Sequence, residues 1–453
     1  MRKKFLTLAV LALGTFATSN AGGLMTNTNY HIAFDRMMAR GATFDIDAAY
    51  SNPAGLAWAQ DGFQLSLNFQ KPWQNRDITF NETKYEGKAS APIVPALFAS
   101  YKQDRWALST MIGIVGSGGF VEYKQGVPEY NIMVKTVLEG LSVFNQLPGI
   151  EIPKNYIIDS EMKGKQYIYG GQINFTYRIF DSFSAAVGFR ANYYDGYYRG
   201  HVIANAQNEY GQLAKLLLDV DQKGWGFTPL VGVNYHQGSL TLTARYEFRT
   251  KVNPENSTNI LDAGLGNDLL AKIAAVPVYG EQSLAAIKGT LAPKLANTIA
   301  PFQEGVRTRY DMPALLSIAA GYEFTPKLRA TLEYHFFDDK NAKMADDRQE
   351  KLTHGTHEIL AGVEYDINDK ITVSCGGQRT DYGLSDEYQK NTSFACDSYS
   401  VGFGGAWNVT EKVRLNAGFF TSLYSDYDKQ ASYGTETYSR TNYVVGLGVD
   451  YKF

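Results

Sequence analysis

The chain has 453 residues, of which 44% are hydrophobic and 20% charged, and its net charge is −3. That mild acidity excludes a nucleic-acid-binding protein, because such proteins carry a basic surface. The 31 tyrosines and 43 glycines are compatible with a soluble β-sandwich. They also suit a membrane β-barrel, in which tyrosine forms interfacial girdles and glycine suits curved strands. Strand length and number have to decide between these two classes.

Residues 1–21 have the three parts of a secretory signal. Basic residues Arg2–Lys4 open the segment, an apolar run follows from Phe5 to Phe16, and Ser19–Ala21 forms a small-residue cleavage site. The run is too short for a membrane-spanning helix, which needs about 20 apolar residues. Removing the segment leaves 40 basic and 46 acidic residues, a net charge of −6. Export to the periplasm, the cell exterior or the outer membrane is therefore predicted.

About fourteen segments of alternating side chains continue to the last residue. In the final one, residues 443–453, apolar and aromatic side chains share one face and small or charged side chains share the other. Similar alternation occurs at 63–69, 240–248, 316–324, 328–336, 359–367 and 413–419. Less regular segments lie near 94–102, 105–114, 167–178, 182–199, 225–236, 370–381 and 394–409. A closed sheet of such strands has an outside suited to lipid and an inside suited to water.

The connections between these segments alternate between tight turns and long loops. The long loops fall near residues 71–93, 115–166, 200–224, 251–311, 338–355, 382–393 and 425–440. Membrane barrels place short turns in the periplasm and long loops outside, whereas a soluble up-and-down barrel has no reason for this asymmetry. Residues 62–453 therefore predict an all-β, transmembrane, antiparallel up-and-down barrel. The loops near 115–166 and 251–311 carry apolar residues at helical spacing, which predicts helices that either pack together or form a hydrophobic docking surface.

Residues 22–61, here called the N-terminal segment, precede the first strand and lack its alternation. They are rich in alanine and glycine, a composition that fits a solvated periplasmic arm poorly. A compact plug inside the barrel is the better interpretation. Within the segment, Asn-Pro restricts the backbone and initiates a turn, and Ala-Gly then allows close backbone approach.

The motif Asn52-Pro53-Ala54-Gly55, preceded by Ala39-Arg40-Gly41-Ala42, resembles the hatch of the FadL/TodX family of outer-membrane transporters of hydrophobic compounds. Signal, hatch motif, fourteen strands and terminal phenylalanine follow the family's order along the whole mature chain. The resemblance implies passive uptake of long-chain fatty acids or other small hydrophobic molecules across the outer membrane of a Gram-negative bacterium. In that family, ligand lands on a loop groove, enters a lumen pocket, and leaves sideways past a kinked strand as the hatch shifts.

A glycine cluster at the top of the third strand is the candidate for such a kink. It comprises Gly113, Gly116, Gly118 and Gly119. Glycine weakens strand pairing and marks bulges, so the cluster predicts a lateral exit. A flexible start of the following loop explains the same residues equally well.

Several charged residues fall on inward faces by alternation, among them Arg190, Arg245 and Arg249. A guanidinium in a drying pocket is suited to hold a carboxylate through two hydrogen bonds. These three arginines are therefore candidate ligand-binding residues. The competing interpretation is that each one neutralises an inward carboxylate such as Glu247, Glu333 or Glu364.

The sequence offers little evidence of catalytic or metal-binding motifs. There is no His-Glu-x-x-His, no Gly-x-Ser-x-Gly and no cysteine pair at metal spacing, and His354 and His357 lie in an exposed loop. We expect no enzyme activity and no cofactor. Alternation places Cys375 and Cys396 on opposite faces, which predicts two free thiols.

Three other functions remain open at this point. They are a general or haem-related outer-membrane pore or receptor, an outer-membrane phospholipase, and a purely structural barrel or adhesin. We expect a monomer whose partners are an apolar ligand, outer-membrane lipid and the barrel-assembly machinery.

Cleavage after Ala21 should leave Gly22 as the first residue of the protein in the outer-membrane fraction, because Ser19–Ala21 matches the small residues that signal peptidase requires. Intact-mass spectrometry of the purified barrel checks this. A mass that retains residues 1–21 would contradict the assignment.

Overall fold

The alternating segments form fourteen antiparallel strands in a computed structural model of the protein. The structure describes residues 25–27, 29–91, 93–149, 151–207 and 210–453. The strands are β1 (Gly62–Phe80), β2 (Val94–Gln103), β3 (Trp106–Tyr123), β4 (Tyr156–Phe180), β5 (Phe183–Ala206), β6 (Gln212–Gln237), β7 (Leu240–Glu247), β8 (Leu315–Thr325), β9 (Leu328–Phe337), β10 (Thr356–Asn368), β11 (Ile371–Asp381), β12 (Ser398–Asn408), β13 (Val413–Tyr424) and β14 (Gly434–Lys452). β1 pairs with β14 and closes the sheet. The predicted strand number and barrel class are confirmed. The predicted signal, residues 1–21, lies outside the described residues.

Shorter elements complete the chain. The helices are α1 (Ile32–Arg36), α2 (Ala48–Ser51), α3 (Pro128–Leu141), α4 (Asn267–Ala274) and α5 (Gly280–Ile299). Additional strands are Thr83–Tyr85, Gly87–Ser90, Glu255–Leu265 and Tyr427–Ala431. The 3-10 turns are Pro53–Trp58, Ser142–Gln146, Ala300–Phe302, Asp339–Asn341 and Ala345–Lys351. Among the described residues, no helix has the length and apolar content needed to cross a membrane.

An apolar belt surrounds the barrel. On β4 the outward side chains from Tyr169 to Ile179 are largely exposed, with Ile173 65% exposed, while the alternate side chains are buried in the lumen. The ladder joins Tyr169, Tyr193 and Trp225 into one aromatic row at the outer edge of the belt. With strand tilt, eleven residues span about 25 Å, the height of the lipid-facing band of membrane barrels.

Strands β4, β5 and β6 are much longer than the belt, at 25, 24 and 26 residues. Their outer parts occupy chain that the sequence assigned to the loops near 115–166 and 200–224. Above the belt, the outward positions carry charged side chains such as Lys163, Arg199 and Asp219. Since neither face is uniformly apolar there, the hydrophobic alternation disappears although the backbone pairing continues.

The long loops cover one end of the lumen. The apolar face of α3 belongs to one buried cluster with Tyr198, Val202 and Leu213 on the inner wall of β5 and β6. The backbone N–H of Glu129, at the start of α3, donates to Asn391 Oδ1 at 2.7 Å, so the helix also contacts the loop after β11. Cys375 is exposed and Cys396 is buried, and both thiols are free.

A lysine at Ile173 should destabilise the barrel by roughly 2–4 kcal/mol, because a cation in the middle of the belt loses its hydration. The matched change Ile157→Lys, on the same strand but above the belt, should cost less than about 1 kcal/mol. Unfolding by denaturant in lipid vesicles measures both values. Equal costs at the two positions would contradict the assignment of the belt.

Candidate functional site

The described part of the N-terminal segment lies inside the barrel. α1 packs so closely against β12, β13 and β14 that the wall has room only for glycine. A Cβ atom at Gly402 would lie 2.3 Å from the carbonyl oxygen of Asp35, and one at Gly446 would lie 2.3 Å from Asp35 Oδ2. At Gly418 the nearest atom, Asp35 Cβ, would be 2.8 Å away. These glycines therefore form a trough shaped to α1.

The motif at residues 52–55 fastens the segment to the opposite wall. Asn52 Oδ1 accepts from the N–H of Gly55 at 3.2 Å, and Asn52 Nδ2 donates to Asn234 Oδ1 at 3.0 Å. The backbone carbonyls of the two residues after Asn52 accept hydrogen bonds from hydroxyl groups of the wall. Thr176 Oγ1 donates to the Pro53 carbonyl at 2.7 Å, and Ser184 Oγ donates to the Ala54 carbonyl at 2.6 Å.

A buried ion network holds the other half of the segment. Glu364 on β10 accepts from Arg36 Nη1 at 2.5 Å and from Arg40 Nη1 at 3.2 Å. Arg40 also donates from Nε to Asp47 Oδ2 at 2.7 Å. One wall carboxylate therefore bridges two cations of the segment, and its removal would leave buried positive charge uncompensated.

A second wall carboxylate contacts the backbone of the segment. Glu333 Oε2 accepts from the N–H of Gly41 at 2.7 Å, while Glu333 Oε1 lies 2.6 Å from His335 Nε2. The other ring nitrogen of His335 lies 3.0 Å from Glu358 Oε2. One carboxylate on β9 and one on β10 therefore bind the N-terminal segment directly.

The arginines predicted to bind ligand occupy different environments. Arg190 and Arg245 both reach the lumen, where each forms an ion pair with Glu247, and Arg190 and Glu247 are fully buried. Arg249 is exposed, and its Nη1 donates to the carbonyl of Asn341 at 2.6 Å. These contacts favour the structural interpretation, and a ligand-binding role for the three residues stays a prediction.

The glycine cluster coincides with two bulges in β3. Opposite β4, the register skips Val115, between Ile114 and Gly116, and skips Gly118, between Ser117 and Gly119. On the other side, pairing of β3 with β2 ends at Ile112, and pairing resumes only at Glu122, opposite Lys88. Among the described residues, 113–121 have no ladder partner on the β2 side. The wall thus has an interrupted seam between β2 and β3.

A lumen cavity of about 100 Å³ adjoins that seam. Its borders come from the start of the N-terminal segment, the upper parts of β1 and β14, and the bulged part of β3. They include Thr26, Tyr30, Arg76, Ser117, Gly119 and Arg440.

A second, largely apolar cleft of about 30 Å³ lies where the inner wall of the extended strands meets α3 and the 3-10 turn Ala300–Phe302. Tyr130, Met162, Leu218 and Phe302 are among its lining residues.

Arg76 and Arg440 were not identified as site residues from the sequence. They lie in stretches, 71–93 and 425–440, that lack clear apolar alternation and were assigned to loops. The ladder instead continues to Phe80 on β1 and pairs it with Glu436 on β14.

Solved structures provide the comparison with known proteins. A FadL homologue from Pseudomonas aeruginosa aligns over 96% of this chain and 100% of its own, with a TM-score of 0.65 at 14% identity. The toluene transporter TodX from P. putida aligns over 91% of this chain and 95% of its own, with a TM-score of 0.56 at 13% identity. The toluene transporter TbuX from Ralstonia pickettii aligns over 95% of this chain and 99% of its own, with a TM-score of 0.53 at 13% identity.

This chain has the FadL/TodX fold. The resemblance carried by Asn52-Pro53-Ala54-Gly55 is therefore confirmed at the level of the fold. No protein-family model matches the chain, and no curated protein matches it.

Within this FadL/TodX-type barrel, Glu364→Gln should loosen the N-terminal segment by roughly 3–5 kcal/mol, because Arg36 and Arg40 lose their shared counter-ion in a buried site. The urea concentration at which conductance across a planar bilayer rises should therefore fall. Asp366→Asn is the matched control, since Asp366 pairs with Arg329 on the wall. An unchanged urea midpoint for Glu364→Gln would show that this network does not retain the segment.

Proposed function

We propose that this protein is an outer-membrane channel of a Gram-negative bacterium for the passive uptake of long-chain fatty acids or other small hydrophobic molecules. The observation that carries the proposal is the lumen cavity beside the interrupted seam of β3. A barrel needs continuous pairing to satisfy its backbone in lipid. The unpaired stretch begins at the outer edge of the apolar belt, because Ile114 pairs with Tyr169. Unpaired backbone beside lipid is costly, which supports a functional role for this stretch.

Ligand would first contact the apolar cleft under α3, which faces the extracellular space and has few polar atoms. Buried polar side chains lie further along the same strands: Gln166 Nε2 donates to the Tyr194 hydroxyl at 3.0 Å, and the Tyr194 ring lies 4.9 Å from that of Tyr310. Inward movement would require these side chains to shift. Gln166 also adjoins the bulge, since a Cβ at Gly118 would lie 2.5 Å from its Oε1.

A sideways exit is supported by the obstruction below the cavity. The N-terminal segment is hydrogen bonded to β4, β5, β6, β9 and β10, so an axial route would require it to detach. At the seam, by contrast, the flanking Ile93 and Ile112 are 60% and 55% exposed on the outside. Their apolar surface offers a low-polarity path into the bilayer. Small shifts of the segment, acting as a hatch, would control access to this path.

The rival functions are less well supported. A general pore gains nothing from a segment bound across its lumen by two wall carboxylates. A phospholipase needs a reactive serine at the lipid interface. Ser66 Oγ lies 3.1 Å from His31 Nε2, but both side chains are buried inside the lumen and bonded to Asp450.

Deleting Val115 and Gly118 should make β3 regular, because these are the two unpaired extra residues. Uptake of an apolar fluorescent tracer by vesicles containing the protein should then slow by at least tenfold, while tracer binding to the outer cleft should persist. Gly171→Ala on neighbouring β4 is the control, since a Cβ there meets no atom within 4 Å. Normal uptake by a well-folded deletion variant would exclude the seam from the route.

A further inference from the structure

Arg76 on β1 and Arg440 on β14 face each other across the strand pair that closes the barrel. The β1–β14 ladder places them directly opposite, and both border the lumen cavity. Arg76 is only 6% exposed, and its Nε has no hydrogen-bond partner among the residues that the structure describes. The Arg440 guanidinium lies over the Tyr424 ring at 4.7 Å. Two cations therefore share one wall of a small cavity.

This pair differs from the four arginines that form buried ion pairs in the lumen. Arg36 and Arg40 reach Glu364, and Arg190 and Arg245 reach Glu247. Within the described part of the chain, no carboxylate oxygen lies within 4.0 Å of Arg76 or Arg440. Two adjacent cations repel each other and lose hydration in such a site, and an anion between them relieves both costs.

We propose that the cavity binds an amphiphile whose head group carries two negative charges, of the phosphate-monoester class. A carboxylate neutralises only one guanidinium, whereas a phosphate monoester approaches a charge of −2 and presents three acceptor oxygens to both arginines. The tail would follow Val94, Ala91 and Phe120 to the open edge of β3. The inference rests on the proposed function, and it specifies the substrate class of that same cavity.

Calorimetric titration of the purified barrel at pH 8 with octyl phosphate, octanoate and octanol tests the head-group ranking. Octyl phosphate should bind at least tenfold more tightly than octanoate, and octanol most weakly. At pH 5 this advantage should shrink, because the second pKa of a phosphate monoester is about 6. Equal affinity for octyl phosphate and octanoate at pH 8 would overturn the proposal. Equal affinity for inorganic phosphate and octyl phosphate would overturn its amphiphile part.

Variants identify the residues. Arg76→Gln and Arg440→Gln should each weaken octyl phosphate binding about 10- to 100-fold and remove its advantage over octanoate. Arg440→Lys keeps the positive charge and should retain most of the binding. This variant separates the loss of charge in Arg440→Gln from a loss of folding. Arg379→Gln, on the outward face of β11 and over the Tyr399 ring, should change nothing. Unaltered binding in both glutamine variants would assign the pair a structural role.

Uptake of a neutral apolar tracer separates this inference from the proposed function. If wild-type vesicles take up the tracer but show no preference for octyl phosphate, only the head-group inference fails. If they take up no tracer, the channel itself is excluded, whatever the head-group ranking.

Discussion

Hydrogen bonding of an irregular segment inside a closed barrel is the constraint on which the lumen of this protein depends. Residues 29–60 are largely neither strand nor long helix, so many of their carbonyls have no local partner. The wall supplies those partners: Gln172 and Asn174 both donate to the Ala49 carbonyl, at 3.0 and 2.8 Å. Polar side chains at alternate positions on β4 therefore form a ladder for the segment and leave the outward positions free for lipid contact.

The same constraint divides the wall into two kinds of surface. β4 and β5 contribute polar side chains that bind the backbone of the segment, and β6 contributes Asn234, which binds the Asn52 side chain. By contrast, β12, β13 and β14 contribute glycines that admit α1. A polar wall fixes the segment through directional bonds, and a glycine wall fixes it through shape. Since Glu364 and Glu333 add charge between the two, the segment is held from several directions.

The sequence predicted the barrel well because outward side chains obey one rule, apolar in lipid, at a period of two. Ile173 and Leu447 both follow it. The lumen obeys no comparable rule. Alternation assigned Arg190 and Glu247 to the inner face, but it gives neither the height of a residue nor its partner, so an ion pair 57 residues apart could not be derived. The contact between Arg36 and Glu364 spans 328 residues and is still less accessible to local pattern.

The predicted outer ends of several strands were wrong for a related reason. Strand recognition depended on an apolar outward face, and that face ends with the belt, so the outer parts of β1, β4, β5, β6 and β14 were assigned to loops. Arg76 and Arg440 lie in those outer parts. The sequence pointed to the glycine cluster as a candidate kink, but only the pairing register identified Val115 and Gly118 as the extra residues.

The depth of the arginine pair agrees with a sideways route. Trp73 and Tyr443 are paired on the outward face, are 47% and 50% exposed, and mark the outer edge of the apolar belt. Arg76 and Arg440 lie three residues further out along the same two strands, at the level of lipid head groups. A polar head held there would stay at its preferred depth while an apolar tail entered the hydrocarbon through the β3 seam. Lateral release then needs no passage of a charge through the bilayer core, which is the costly step for any ionised amphiphile.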